Sequence, residues 1–595
     1  MSRLLEKHWP VPRFRDKWRI LVRQADRLSM STLPDRLATL YGDRPALFLD
    51  QPLDYPFFRG DCVTHRDVAR FVARIAHGLQ QLGVKKGDRV GLMTGNRIEA
   101  AFAEFAAQRL GAVPVPLNFM LRLDEIRFLA EDCGFRTFVT DRTVFDNVIR
   151  DRAAVPSIEN WLLVTTQSVP TGIVRMHDLV ADQPESFPAP PLAPGDLAII
   201  FYTAGTTGFP KGAMLSDGAL MFAMRSYARL VALLPSQRHN LSLLVMPLAH
   251  TSGHQALLLQ LLMGMPMLLM GRFDPLRVLQ AMQEYRVTMF SGIPAMYRML
   301  LEAGAREHDL TSIELFGGGG DAMPDELIHT FRNLAARPGR FGRTKRPRFA
   351  RGYGLAETAG QLATALGPPC GDGAAGKIMR GVQYKIVDAD GREVPKGDVG
   401  ELVVKTPGIM SGYWNNPEET AKVLRDGWFY TGDLVREGRR RMLYMQAREK
   451  DMIKVGGYSV FPAEVERKLA EHPAVLQVAV VGVPHGVKGE MPVAAVVRQP
   501  GSAVTEAELL AWGKEHIAPY KAPRRVVFVD AIPQNFAMKA KRREVQDLVM
   551  KMLAKADGLH PNPPPFTEGF TEEGTRTPSS ASTSASGGGS GRRAH

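Results

Sequence analysis

The sequence predicts an α/β fold divided into more than one domain. Three observations carry this. Helix-like and strand-like segments alternate along the chain up to about Gly381. Beyond Gly381 the texture changes to short strands joined by turn residues. A smaller helix-and-strand unit begins near Asp451. Together they describe a large N-terminal domain of layered α/β subdomains plus a β-rich subdomain, followed by a small α+β C-terminal domain.

The first alternation is "HRDVARFVARIAHGLQQLGVKKGDRVGLMTG". Val68, Phe71, Val72, Ile75 and Leu79 fall at helical spacing, and Gly83 and Gly87 lead into an apolar strand, Val90 to Met93. "EAAFAEFAAQRLGAVPVPLN" repeats the order. "FRTFVTD", "NWLLVTT", "LSLLVMPL" and "VTMFSGIP" are further short apolar strands between helical patterns, as a parallel sheet requires. The most apolar stretch, Ala256 to Gly271, is interrupted by Gly264 and Pro266 and reads as buried helix, turn and strand, too short for a membrane span. "VQYKIVDADGREVPKGDVGELVVKTPG" reads as antiparallel strands with "DADG" and "PKGD" turns. "AEVERKLAEHPAVLQVAVVGVP" is helix then strand. From residue 558 Pro, Ser, Thr and Gly dominate, and such a tail cannot bury enough apolar surface to order itself.

The chain has 595 residues, 45% hydrophobic and 23% charged, enough for a large core. Cys62, Cys133 and Cys370 lack metal or redox spacing, and the first residues lack the apolar core of a signal peptide; a reducing, cytoplasmic setting is expected. The formal net charge is +13, with basic runs near the start and in "RNLAARPGRFGRTKRPRFAR". Neither run carries a nucleic-acid motif, so the expected partner is a phosphate-bearing small molecule and not nucleic acid. Trp18, Ile20, Leu21 and Val22 lie among arginines, so peripheral membrane contact is a second reading of that stretch.

"YTAGTTGFPKGAMLS", Tyr202 to Ser216, has the glycines, hydroxyls and lysine of a phosphate-binding loop. It is not a Walker loop: Pro210 stands where that pattern needs glycine, and Gly212 where it needs a hydroxyl. By itself it reads equally as a phosphate loop or a flexible turn.

Five more segments follow: "GGGGDAMP", "GYGLAETAG", "GWFYTGDL", "REKDMIKVGGYSVFPAEVE" and "IPQNFAMKAKRRE". In this order, from about Leu33 to about Leu553, the chain resembles the adenylate-forming superfamily, in its acyl-CoA synthetase branch. The resemblance implies domains at 1–449 and 450–557, with the tail at 558–595. It implies ATP, Mg²⁺ and coenzyme A, and a carboxylic acid activated to an acyl-adenylate. Thr203, Gly205, Thr206, Thr207, Gly208 and Lys211 would hold the β- and γ-phosphates. Glu357 with Thr203 would hold the metal. Tyr353, Thr358 and the backbone of Gly318 and Gly319 would line the nucleotide pocket. Asp433 would accept from the ribose and Arg448 would lie near the α-phosphate. Lys539 would reach the reacting carboxylate, then leave as the small domain turns about Lys450 and brings in Gly456 and Gly457. His250 would lie beside the carboxylate, and "HTSGHQALLLQLL" would wall an apolar pocket suited to a fatty acid.

The chain departs from the family pattern at Ala204, Ala447, Gln534, Asn535 and Met538, the last standing where a glycine usually precedes the lysine. Two alternatives stay open: loading of a carrier-protein thiol, and a nucleotide-binding pseudoenzyme.

Overall fold

A computed structural model describes residues 28–203, 210–232, 240–319, 323–371, 373–388, 390–448, 453–456, 458–460, 462–486, 489–533 and 542–556. The helix expected from the first periodic segment is His65–Gln81. Thr64 and Asp67 cap it reciprocally, and Val68, Phe71, Val72, Ile75 and Leu79 are buried. It packs beside helix Ile98–Arg109 over a five-stranded parallel sheet ordered Val113–Pro116, Arg89–Met93, Thr137–Asp141, Asn160–Val164 and Val174–Arg175.

A second, 14-stranded sheet runs through the rest of the large domain. Its parallel part contains Ser242–Leu244, Met267–Leu269, Met289–Gly292, Leu315–Gly319 and Arg348–Leu355. The apolar stretch is, as expected, helix Thr251–Met263, a turn at Gly264 and strand Met267–Leu269. Gly264 has φ +59, and a Cβ there would lie 2.5 Å from the Tyr41 ring, so glycine is required twice over.

The β-rich part begins earlier than the texture at Gly381 indicated. Pairing turns antiparallel where Arg348–Leu355 meets Gly360–Gly367 and continues without a break through Ala374–Ile378, Leu443–Arg448, Trp428–Glu437, Val399–Lys405 and Gln383–Val387. Strands Leu197–Thr203 and Lys211–Ser216 form an antiparallel pair in a small third sheet.

The small domain has its own sheet. Val475–His485 pairs antiparallel with Gly489–Arg498, which pairs parallel with Arg525–Phe528. Helix Arg542–Ala556 covers it by burying Val545, Val549 and Leu553, one stripe at i, i+4 and i+8. The two domains meet at the start of helix Leu123–Cys133. Arg122 donates to the carbonyl oxygens of Lys514 and Ile517, and Asp124 pairs with Lys468 at 2.5 Å. Lys521 Nζ lies 2.7 Å from Glu125 Oε1 and 2.5 Å from Glu464 Oε1, and its side chain is 2% exposed.

Candidate active site

One cavity of about 1300 Å³ is lined by both domains. Thr203 and Lys211 come to it because they face each other in the register of their strand pair, one at each end of the loop that joins them. Gly205, Thr206, Thr207 and Gly208 lie in that loop, outside the described residues.

Glu357 sits on the short turn Ala356–Thr358 and points back at the strand pair. Its Oε1 is 3.5 Å from Thr203 Oγ1 and accepts from the Tyr413 hydroxyl at 3.1 Å. Burial, and then the neighbouring Glu357 carboxylate, raise the Tyr413 phenol above its usual range, so it stays a donor. Thr358 is turned the other way: its hydroxyl donates to main-chain oxygens of its own loop and is buried there.

Lys211 is nearly buried and its ammonium pairs with Glu419. Glu419 stands in the first turn of helix Pro417–Val423, capped by Asn416, and also takes Lys422. The two ammonium partners, Lys211 first, hold the Glu419 carboxyl down to about 2. The sequence reading missed both Tyr413 and Glu419. The signal was present in "GYWNNPEET", but an acid at a helix start reads as a dipole partner and nothing local shows what it faces.

On the opposite wall, Gly317, Gly318 and Gly319 end their strand against the cavity. A Cβ on Gly317 would lie 2.1 Å from Ser291 Oγ, and the Tyr297 hydroxyl donates to the Gly317 carbonyl at 2.7 Å, so bare backbone is fixed there. The Tyr353 hydroxyl donates to Asp433 Oδ2 at 2.7 Å and leaves Asp433 fully covered. Asp433 is paired across the sheet with Arg448, whose backbone alone is described.

His250 caps helix Thr251–Met263, and its Nδ1 lies 2.7 Å from Ser252 Oγ. The imidazole is exposed to the cavity. The protein mass around the cavity, and then the Lys454 ammonium, lower its pKa to about 4, so it is neutral at pH 7.

From the small domain, Lys454, Tyr458, Tyr520 and Lys521 line the same cavity, none of them singled out from sequence. Gly456, at φ +57, lies in the turn between strands Ile453–Val455 and Tyr458–Val460, and Gly457 is outside the described residues. So are Lys450, Met538 and Lys539.

The walls therefore combine a lysine and hydroxyls, an oxygen pair at Thr203 and Glu357, bare glycine backbone, and the Tyr353 ring, behind which Asp433 lies covered. The cations suit an oligophosphate, and the positive end of the dipole of helix Thr251–Met263, capped by His250, favours a carboxylate nearby. Among the described residues no helix is long and apolar enough to cross a membrane.

The AMP-binding enzyme family pattern matches residues 35–414, and the AMP-binding enzyme C-terminal domain pattern matches 464–539. The chain is 34% identical over 493 residues to a feruloyl-CoA synthase of Amycolatopsis sp, covering 82% of this chain and 94% of that protein. It is 29% identical to a long-chain-fatty-acid–CoA ligase of Bacillus subtilis (strain 168), covering 86% and 94%. Its fold is similar to the o-succinylbenzoate CoA synthetase of Bacillus subtilis bound with a product analogue, at TM-score 0.73 and 28% identity, covering 87% of this chain and 98% of that one. The chain belongs to the AMP-binding enzyme family, and it is an adenylate-forming enzyme of the acid–thiol ligase class.

Proposed function

We propose that this enzyme activates an apolar carboxylic acid with ATP and passes the acyl group to coenzyme A. The observation that carries this is the convergence of Thr203, Lys211 and Glu357 with the Tyr353–Asp433 pair on one cavity. In the first half-reaction a carboxylate oxygen attacks the α-phosphorus, the bond to the bridging oxygen breaks, and pyrophosphate leaves. In the second, thiol sulfur attacks the acyl carbon, AMP leaves, and the thiol proton passes to solvent.

Lys211 balances charge on the departing pyrophosphate, with Gly205, Thr206, Thr207 and Gly208 adding donors. Glycine backbone at 317–319 and Tyr353 take the base, and Asp433 accepts from the ribose. His250, neutral, shapes the carboxylate end and carries no charge there. Thr203 and Glu357 offer two hard oxygens, which fits Mg²⁺, an ion that keeps water and phosphate oxygens as its other ligands. That ion would neutralise phosphate charge.

Arg448 and Lys539 belong to the proposal through their motif positions, as do Gly456 and Gly457 near the thiol path and a domain boundary at 449/450. The acid is read as fatty from the apolar wall formed by Ala256 and Leu259 among others; feruloyl-CoA synthase, at 34% identity, makes aryl acids the second class to test. A cytoplasmic location accords with three free cysteines.

The test is AMP release across fatty and aryl acids, beside acid-dependent exchange of pyrophosphate into ATP without coenzyme A. Exchange and coenzyme A-dependent AMP release with the same acid are expected. Exchange without turnover on coenzyme A would favour a carrier-protein thiol, and absence of both would leave a nucleotide-binding pseudoenzyme.

A further inference from the structure

The basic run "RNLAARPGRFGRTKRPRFAR" has seven basic residues and no acidic one between Arg332 and Arg348. None of the residues in that span lines the cavity. Its middle folds into a hairpin of its own, in which Arg337–Pro338 pairs antiparallel with Thr344–Lys345. The Gly339 N–H donates to the Arg343 carbonyl at 2.7 Å and closes a tip made of Arg340, Phe341 and Gly342.

The base of the hairpin is fastened to the body. Arg337 donates to the carbonyl oxygens of Thr311 and Ile313 and pairs with Glu314, which also holds Lys345 at 3.2 Å. Arg332 donates to the Pro347 carbonyl at 2.9 Å, and Arg346 to Asn333 Oδ1 at 2.7 Å. These bonds hold the hairpin and leave its tip outside.

Phe341 is 87% exposed, whereas the other exposed large apolar side chains among the described residues are 37–49% exposed. A single exposed apolar side chain is ordinary. This one also sits at φ 59 and ψ 40, in the left-handed region that bulky residues avoid. Gly342 follows it at φ +71, and a Cβ there would meet no atom within 4 Å among the described residues. Glycine or asparagine would make such a turn without strain. The chain instead puts an aromatic ring there, on a strained backbone and in water, and surrounds it with cations. A strained residue of this kind points to use.

We propose that this hairpin docks the enzyme on an anionic lipid surface. The Phe341 ring enters the acyl layer, and the exposed side chains of Arg343, Arg346 and Arg348 lie among the phosphate headgroups. Long arginine stems let the charges stay at headgroup level while the ring goes deeper. Charge and shape choose the occupant. An apolar apex ringed by cations meets a bilayer in the right order, anionic outside and apolar beneath. An acidic protein surface offers the charge but no yielding layer for the ring. A nucleic-acid strand is followed along a groove, and this tip is a point. Docking of this kind is independent of which acid the cavity takes.

Flotation of the full chain with vesicles tests it. Wild type is expected to bind an equal mixture of phosphatidylcholine and phosphatidylglycerol, to be released as salt is raised, and not to bind phosphatidylcholine alone. Phe341→Asn removes the ring and keeps a residue that tolerates the left-handed turn, so affinity should fall about tenfold. Arg343→Glu should lower it by about fivefold or more. Both variants should leave far-ultraviolet circular dichroism unchanged. Phe341→Trp should add emission that brominated acyl chains quench. No binding by wild type overturns the proposal. So does binding kept in either of the first two variants, which would move lipid contact elsewhere, as to the stretch around Trp18 that lies outside the described residues. Intact binding without quenching overturns the entry of the ring. A uridine oligonucleotide bound in place of vesicles, and lost in the same variants, overturns lipid as the occupant.

Discussion

Glu419 holds Lys211 before any phosphate arrives. Its carboxyl, pulled down to about 2, is ionised at every working pH, so if Lys211 takes the pyrophosphate as proposed, Glu419 competes for the same ammonium. A lowered carboxylate pKa stabilises the fold above the ordinary value near 4.5, and that contribution is lost as pH falls toward 2. Near neutrality the pair is intact and the competition is full. Glu419→Gln removes the charge and keeps the shape. Inhibition by pyrophosphate is expected to tighten by about fivefold, ~1 kcal/mol, the scale of one hydrogen bond. An unchanged or weaker inhibition constant would mean that Glu419 positions Lys211 and does not compete. At this scale sequence and structure part company. Lys211 was singled out because the order of six motifs resembles the family pattern, not by its own loop, which reads equally as a flexible turn. Glu419 was not, because its partner lies 208 residues away.

Helix Leu123–Cys133 acts as a docking element. Glu125 at its first turn reaches Lys521 in the small domain, and Lys521 also holds Glu464. Burial first, and then repulsion from Glu125, push Glu464 up to about 7, although Lys521 pulls the other way. Tyr520 also faces the group. Burial alone would lower Lys521, but Tyr520, Glu125 and Glu464 keep it protonated. A raised carboxyl pKa means that docking takes up a proton. The docked arrangement is favoured below about 4.5 and weakens as pH rises through about 7, where two carboxylates share one ammonium. Energy transfer between labels on the two domains should fall over that range in wild type. Glu125→Gln should flatten the response near pH 7, and a profile unchanged by that substitution would count against this cluster as the contact that sets it. The sequence reading did not single out this helix or its charged first turn, since docking appears only when distant elements are assembled.

Across the whole molecule, one cavity is walled by both domains, so a change in their relative placement changes the chemistry available. Lys539→Ala should abolish acid-dependent pyrophosphate exchange and leave thioester formation from supplied acyl-adenylate largely intact. Equal loss of both steps would argue for a single fixed arrangement. The alternation of helix and strand was legible in the parallel part of the large domain, because strands buried on both faces read as uniform apolar runs. The unbroken 14-stranded sheet was not. It depends on Arg348–Leu355 pairing back on Gly360–Gly367 across a turn at Glu357, in a segment whose glycines give no strand signal.

The contact between Tyr353 and Asp433 has a kinetic consequence. Under the proposed ribose role of Asp433, the seat is not an empty, water-filled hole: the Tyr353 phenol already donates to that carboxylate, where a ribose hydroxyl would. A nucleotide does not drive out solvent at this point but trades one donor for another. The gain in heat is therefore small there. On that reading the Tyr353 hydroxyl has to give up this bond before the sugar settles, a step whose rate does not depend on nucleotide concentration, so the observed association rate is expected to level off at high ATP. A nucleoside without its ribose hydroxyls offers nothing in exchange, so the phenol returns and the ligand is shed.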